Sequence, residues 1–174
     1  VLGIVGILDE VEKSVPSGFS HVGDAVLQLA PSTLSPLEDR IREFGSSEYA
    51  KTILGELWGI PPVLDLKIEA NLQQCLVELA QKKLLHSAQD VSDGGIAVTL
   101  AEGCFSSGIG VRANLEKAPD LPVQWELCGE TASQMIISCS KAVVAEIEKI
   151  VRNYKGLMVA TLGETIADMY ELAV

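Results

Sequence analysis

Ser87-Ala88-Gln89-Asp90-Val91-Ser92-Asp93-Gly94-Gly95 carries a short apolar strand into a helix through two acids, a hydroxyl and two glycines. Glycines let a backbone approach a ligand closely, and a helix N-terminus offers unpaired N–H groups. Carboxylates beside such a nest can hold magnesium on a phosphate. A plainer reading is a turn in which Asp93 caps the helix and the glycines only permit positive φ. Spacing alone favours the plainer reading, because short motifs recur by chance.

Outward from this turn, periodicity sets the elements. Upstream, Leu84 to Asp90 reads as the strand. Before it, Ile68, Leu72, Cys75, Leu76 and Leu79 share one helical face behind a capping Asp65. Lys82 and Lys83 suit the negative end of that helix. Ser46 or Ser47 opens another helix to about Trp58, and Gly59-Ile60-Pro61-Pro62 ends it. Val1 to Leu8 and Asp24 to Ala30 read as strands, Ser14 to Gly23 as a loop, and the run Glu38 to Glu43 as a solvated face. Downstream, Ile96 to Phe105 reads as a helix and Ile109 to Leu115 as a strand. Pro119 and Pro122 mark a loop, and Met135 to Cys139 is a strand. A helix over Lys141 to Tyr154 turns Val143, Val144, Ile147, Ile150 and Val151 inward. Strands around Leu157 to Leu162 and Met169 to Val174 close the order. Strands mixed with helices, not strictly alternating, predict an α+β fold: a mixed sheet with helices packed on it, in one domain over residues 1–174.

Composition narrows the function classes. Hydrophobic residues are 48% of the chain and mean hydropathy is +0.29, which excludes general disorder. No apolar run approaches the ~18 residues of a membrane span. The apolar start lacks the flanks of a signal peptide. The absence of an initiator Met suggests a piece of a longer protein. Thirteen basic against 24 acidic residues give a net charge of −11. That argues against nucleic acid or an anionic membrane as partner. A phosphate ligand would then need magnesium, backbone N–H groups or a neighbour's basic residues. Cys75, Cys104, Cys128 and Cys139 form no C-x-x-C pair and read as reduced, mostly buried thiols of a cytoplasmic protein. His21 and His86 lie far apart in sequence and read against a zinc site; His86 reads as a surface histidine. Glu130, in Leu127-Cys128-Gly129-Glu130-Thr131, either enters a cleft or is a solvated turn residue, and spacing favours the turn. Phe44-Gly45-Ser46-Ser47-Glu48-Tyr49 reads as a helix start.

Taken together, these blocks resemble the C-terminal half-unit of the aminoimidazole ribonucleotide synthetase-like superfamily. They are most similar to the last domain of the formylglycinamide ribonucleotide amidotransferase (phosphoribosylformylglycinamidine synthase) family. The resemblance runs through Val5-Gly6, Gly45 to Tyr49, Pro61-Pro62-Val63-Leu64-Asp65, Ser87 to Gly95 and Leu127 to Glu130. The resemblance implies an ATP- and magnesium-dependent ligase of purine synthesis. It uses glutamine-derived ammonia to convert formylglycinamide ribonucleotide into the amidine. It also implies N-terminal-type synthetase domains in the same chain that hold most of the ATP contacts, and a glutaminase subunit or domain as partner. Gln89, Asp90, Asp93, Gly94, Gly95, Glu130 and Thr131 are the ligand-binding candidates carried over, with Asp90 at magnesium. The departures matter: Gln89 replaces a common histidine, Thr131 and Ala132 replace Ser and Gln, and Gln134 replaces Arg. A cleft without that Gln and Arg lacks amide and phosphate donors. This copy is therefore expected to be auxiliary, without catalytic residues and inactive alone, with exposed strands that favour a homodimer when isolated. The alternatives are a sister ATP-using enzyme (aminoimidazole ribonucleotide synthetase, selenophosphate synthetase, thiamine-phosphate kinase or the hydrogenase-maturation dehydratase) or a stand-alone scaffold domain.

Overall fold

Val26, Leu27 and Leu29 are wholly enclosed, which places their strand at the centre of the molecule. In the computed structural model, residues 3, 5–8, 10–33, 35–115, 121–167 and 171–173 are described, the last three by backbone alone. The central strand is β1 (Ala25–Pro31), flanked by β4 (Met135–Cys139) and β5 (Leu157–Ala167). β2 (Ser87–Asp90) lies outside β4, and β3 (Ile109–Asn114) and β6 (Glu171–Ala173) lie outside β5. Neighbours run antiparallel except β3 and β6, which are parallel, so the sheet is mixed and the fold is α+β. The register of β1 on β5 shifts between Val26 and Leu27.

The pleat sends alternate residues to opposite faces, and each face has its own core. On one face Leu27, Leu29 and Ile137 meet α2 (Leu66–Gln81) and α5 (Val144–Val151) through Leu72, Leu79 and Ile147. On the other, Val26, Ile136 and Val111 meet α3 (Gly95–Phe105) through Ile96, Leu100 and Cys104. Asp65 caps α2 as expected, its Oδ1 accepting from Lys67 N at 2.8 Å and Ile68 N at 3.3 Å. Ser140 caps the 3-10 turn Lys141–Val143 that leads into α5, which ends at Val151, short of Tyr154.

Several expectations change. The described residues of the Val1–Leu8 stretch form no strand: Val5 is 98% and Ile7 97% exposed, so this apolar run has no sheet to enter. The charge run Glu38 to Glu43 belongs to α1 (Leu37–Phe44), which follows Pro36 and buries Glu43 and Phe44. The helix expected to Trp58 is short: its last turn, Ala50–Leu54, is a π-helix that ends at Gly55 with φ 75°. Behind Pro122 lies another helix, α4 (Val123–Cys128), where a loop was expected. Pro119, Met169, Tyr170 and Val174 lie outside the described residues.

All four cysteines are free thiols, and Cys75, Cys104 and Cys139 are buried. Burial pushes the Cys75 and Cys139 thiols up to about 11 and raises those of Cys104 and Cys128. The thiolate is the reactive form. Alkylation of the native chain at pH 8, followed by intact mass, should therefore be slow and should begin at the half-buried Cys128. All four should react at once in denaturant. Equal rates at Cys75 and Cys128 in the native state would contradict this packing.

Candidate functional site

The Ser87–Gly95 turn is built differently from both of its sequence readings. β2 pairs with β4 so that Gln89 stands opposite Ile136 and Asp90 opposite Met135. Ile136 belongs to the core under α3 and Met135 packs on the α2/α5 side, so Gln89 and Asp90 are directed to opposite faces of the sheet. The Gln89 amide donates to Glu102 Oε2 at 2.6 Å, while Asp90 and Asp93 are exposed. Asp93 does not cap α3. The N-cap is Gly94, at φ 84°, with no side-chain cap hydrogen bond. The hydrogen bond to Glu48 holds the Lys51 ammonium above its usual range, and the charge of Asp93 adds a little to this.

The two glycine N–H groups of the turn already have partners. Gly94 N donates to Glu130 Oε1 at 2.8 Å, and Gly95 N donates to Ser92 O at 3.0 Å. The same Glu130 oxygen accepts from Glu48 N, also at 2.8 Å. Ser47 Oγ accepts from Ala50 N at 3.2 Å, so Ser47 does cap its short helix. One carboxylate thus serves two chain segments where helices begin, which is where a negative charge is favoured. Glu130 is not a solvated turn residue, since one of its oxygens is held by both turns. It is the anion that this pair of turns binds, and it joins the Ser46–Tyr49 block to the Ser87–Gly95 block. Gly95 is required for that junction. At φ 69°, its added Cβ would lie 2.7 Å from the Cys128 carbonyl carbon and 2.8 Å from Gly129 O.

Beside this knot, on the α3 side of the sheet, lies a cleft of about 440 Å³. Gln28, Ala160 and Leu162 form part of its floor, α1 and α4 supply Arg40 and Trp125, and Thr131 and Gln134 line it beyond Gly129. Phe44 of α1 stacks on Trp125 of α4 with ring centroids 5.0 Å apart. Arg40 Nη2 meets Glu126 Oε1 at 3.2 Å, both side chains about 19% exposed. Gln28 Nε2 donates to Gln134 Oε1 at 2.7 Å. Among the described lining residues the only cation is therefore paired, and the floor offers amides. Such a cleft suits a neutral, hydrogen-bonding group better than a bare phosphate.

Of the sequence candidates, the structure brings Gly94, Gly95 and Glu130 into one junction and sets Thr131 in the adjoining cleft. Gln89 is turned away to Glu102, and Asp90 and Asp93 are exposed rather than drawn into that junction. Arg40 and Trp125 line the cleft without a signal in the sequence, because α1 and α4 were hidden by a charge run and by prolines; Gln28 lies on the expected strand β1, whose spacing gives no sign of a cleft. The residues of the turn do not fit a phosphate cradle by themselves. A magnesium ion at exposed Asp90 would need its other oxygen ligands from phosphate, water or a neighbouring domain.

The model of the AIR synthase related protein, C-terminal domain, matches residues 21–173. The chain belongs to that family. Among curated relatives, the phosphoribosylformylglycinamidine synthase subunit PurL of Cutibacterium acnes is 36% identical over 167 residues, which is 95% of this chain and 21% of that protein. The PurL subunit of Chlorobium chlorochromatii is 33% identical over 171 residues, with the same two shares. This AIR synthase related domain thus spans about a fifth of the length of these relatives. In fold it is similar to T. maritima PurL complexed with FGAR: TM-score 0.76, 21% identity, 93% of this chain and 27% of that one. It is also similar to E. coli HypE, a hydrogenase maturation protein: TM-score 0.63, 16% identity, 92% and 49%. No helix among the described residues is long and apolar enough to cross a membrane.

Proposed function

We propose that this domain is the C-terminal-type unit of a phosphoribosylformylglycinamidine synthase. In that enzyme, acting in the cytoplasm, ATP and magnesium drive conversion of formylglycinamide ribonucleotide into the amidine with glutamine-derived ammonia. The supporting observation is the likeness to PurL subunits across nearly the whole chain, at 36% identity over 95% of it in one case. The geometry argues for an auxiliary role. The Gly94 and Gly95 N–H groups are spent on Glu130 and Ser92, and the one cation among the described lining residues of the cleft is spent on Glu126. Nucleotide contacts then come from N-terminal-type domains of the same protein, and ammonia from a glutaminase partner. The cleft would contribute amide and hydroxyl groups from Gln28, Thr131 and Gln134 along a domain boundary.

Two measurements test this. Calorimetry of the chain with Mg-ATP should give no saturable heat; a micromolar response abolished by Asp90→Ala would overturn the auxiliary reading. The full-length protein should hydrolyse ATP only when formylglycinamide ribonucleotide and ammonia are both present. Turnover of formylglycinamidine ribonucleotide instead would assign the domain to the sister synthetase.

A further inference from the structure

His21 and His86, remote in sequence, meet on the surface on either side of Asp24. His86 Nδ1 lies 2.6 Å from Asp24 Oδ2, and His21 Nδ1 lies 4.0 Å from the same oxygen. The two rings tilt at 37° with centroids 4.2 Å apart. One ligand atom from each of the three residues falls within 4.8 Å of the others, and no other group of this kind occurs among the described residues. Sixty-five positions apart in sequence, the two histidines are brought together by the fold.

The cluster is held from behind by the sheet. Thr165 Oγ1 accepts from Asp24 N at 2.9 Å and donates to His21 O at 2.6 Å. Thr165 N donates to Asp24 O at 2.9 Å, and Gly23 N donates to Thr165 O at the same distance. His86 N donates to Ser138 O at 2.8 Å. The Asp24 side chain is only 7% exposed, against 30% for His86 and 60% for His21. A nearly buried carboxylate is therefore fixed on a rigid strand start, faced by one half-exposed and one exposed imidazole. Preorganisation of this kind is what a metal site needs from its scaffold.

We propose that His21, Asp24 and His86 bind a divalent transition metal ion of the zinc class. Zinc sits about 2.0–2.2 Å from imidazole nitrogen and carboxylate oxygen, so tetrahedral ligand atoms are about 3.3 Å apart. The observed 2.6 and 4.0 Å separations straddle that value. His21, the most exposed of the three, is the one that would have to move. Two imidazoles and one carboxylate are the ligand set of zinc, nickel or cobalt, while magnesium prefers oxygen. Three protein ligands leave a fourth position open to water or to a small ligand. The net charge of −11 draws cations to the surface. Three of the chain's four thiols are buried, and the fourth, Cys128, is half-buried, so they compete poorly for the ion. The site is independent of the proposed ligase function and needs no nucleotide.

The test is a titration of the full, untagged chain with zinc chloride in the presence of millimolar magnesium, read by calorimetry. One site of micromolar affinity is expected. His21→Gln, at an exposed position that does not perturb the core, should weaken binding at least tenfold, and His86→Gln should do the same. Cobalt(II) should broaden the ring-proton resonances of both histidines, the only two in the chain. Absence of saturable zinc binding would overturn the proposal, leaving only a hydrogen bond between His86 and Asp24. Binding unchanged by His21→Gln, or cobalt broadening confined to one histidine, would overturn it equally. Failure of the ligase assay would leave these results untouched.

Discussion

Gly95→Ala is expected to cost about 3–4 kcal/mol, a larger effect than most single substitutions. Two terms add. Alanine at a left-handed φ costs about 1–2 kcal/mol because its Cβ crowds the following carbonyl. The new Cβ also meets the backbone of Cys128 and Gly129 at 2.7–2.8 Å. Backbone cannot rotate away as a side chain can, and overpacking of this kind costs about 1–3 kcal/mol. Gly108 separates the terms. It too has φ 69°, but nothing lies within 4 Å of its added Cβ. Gly108→Ala should therefore lose only the conformational part, about 1–2 kcal/mol. In thermal unfolding of a chain this size the Gly95 variant should melt about 10 °C lower, and the Gly108 variant less than half as far. Equal shifts would show that α3 does not lean on the Cys128–Gly129 backbone.

Glu130→Ala should cost about 3 kcal/mol. The lost oxygen accepts from two backbone N–H groups, Gly94 and Glu48, each at 2.8 Å. Hydrogen bonds to a charged acceptor contribute about 1.5–3 kcal/mol each, and partial access of water reduces the sum. Glu130→Gln keeps an acceptor oxygen and drops the charge, so it should recover about half of the loss. Urea unfolding with an unchanged m-value reads the stability. Hydrogen exchange gives the sharper test: the amides of Glu48 and Gly94, remote in sequence, should lose protection together in Glu130→Ala. A variant within about 0.5 kcal/mol of the parent, the range of ordinary surface changes, would mean that the two turns stand without the carboxylate.

Where the chain's signals were local, the sequence was legible. α2 announced itself through its apolar face and Asp65, β4 through a mostly apolar run, and α5 through its inward residues Val144, Ile147, Ile150 and Val151, because each pattern lies within one element. The resemblance also placed the chain in the right family before any geometry was known. What was illegible depended on partners far along the chain. Val1 to Leu8 looks like a buried strand by composition, yet its described residues stand in solvent. α1 hid in charges because only its end, Glu43 and Phe44, is buried. α4 hid behind Pro122, although proline before a helix's first residue removes no helical hydrogen bond. The candidate site suffered most. The acid expected to be a surface turn residue anchors two loops, the acid expected to cap α3 does not, and two histidines read as strangers share one carboxylate. The first and the last of these are long-range contacts, on which local spacing is silent.

The position of β1 has a consequence for how the chain is made. It is an early strand in sequence and the central one in space, and both of its neighbours, Met135–Cys139 and Leu157–Ala167, emerge from the ribosome long after it. Until those neighbours are made, Leu27 and Leu29 have no sheet to join, and closing loops of more than a hundred residues is entropically slow. The nascent chain must carry an unpaired apolar strand until β4 and β5 are available, an interval in which aggregation competes with folding and a chaperone has most to protect.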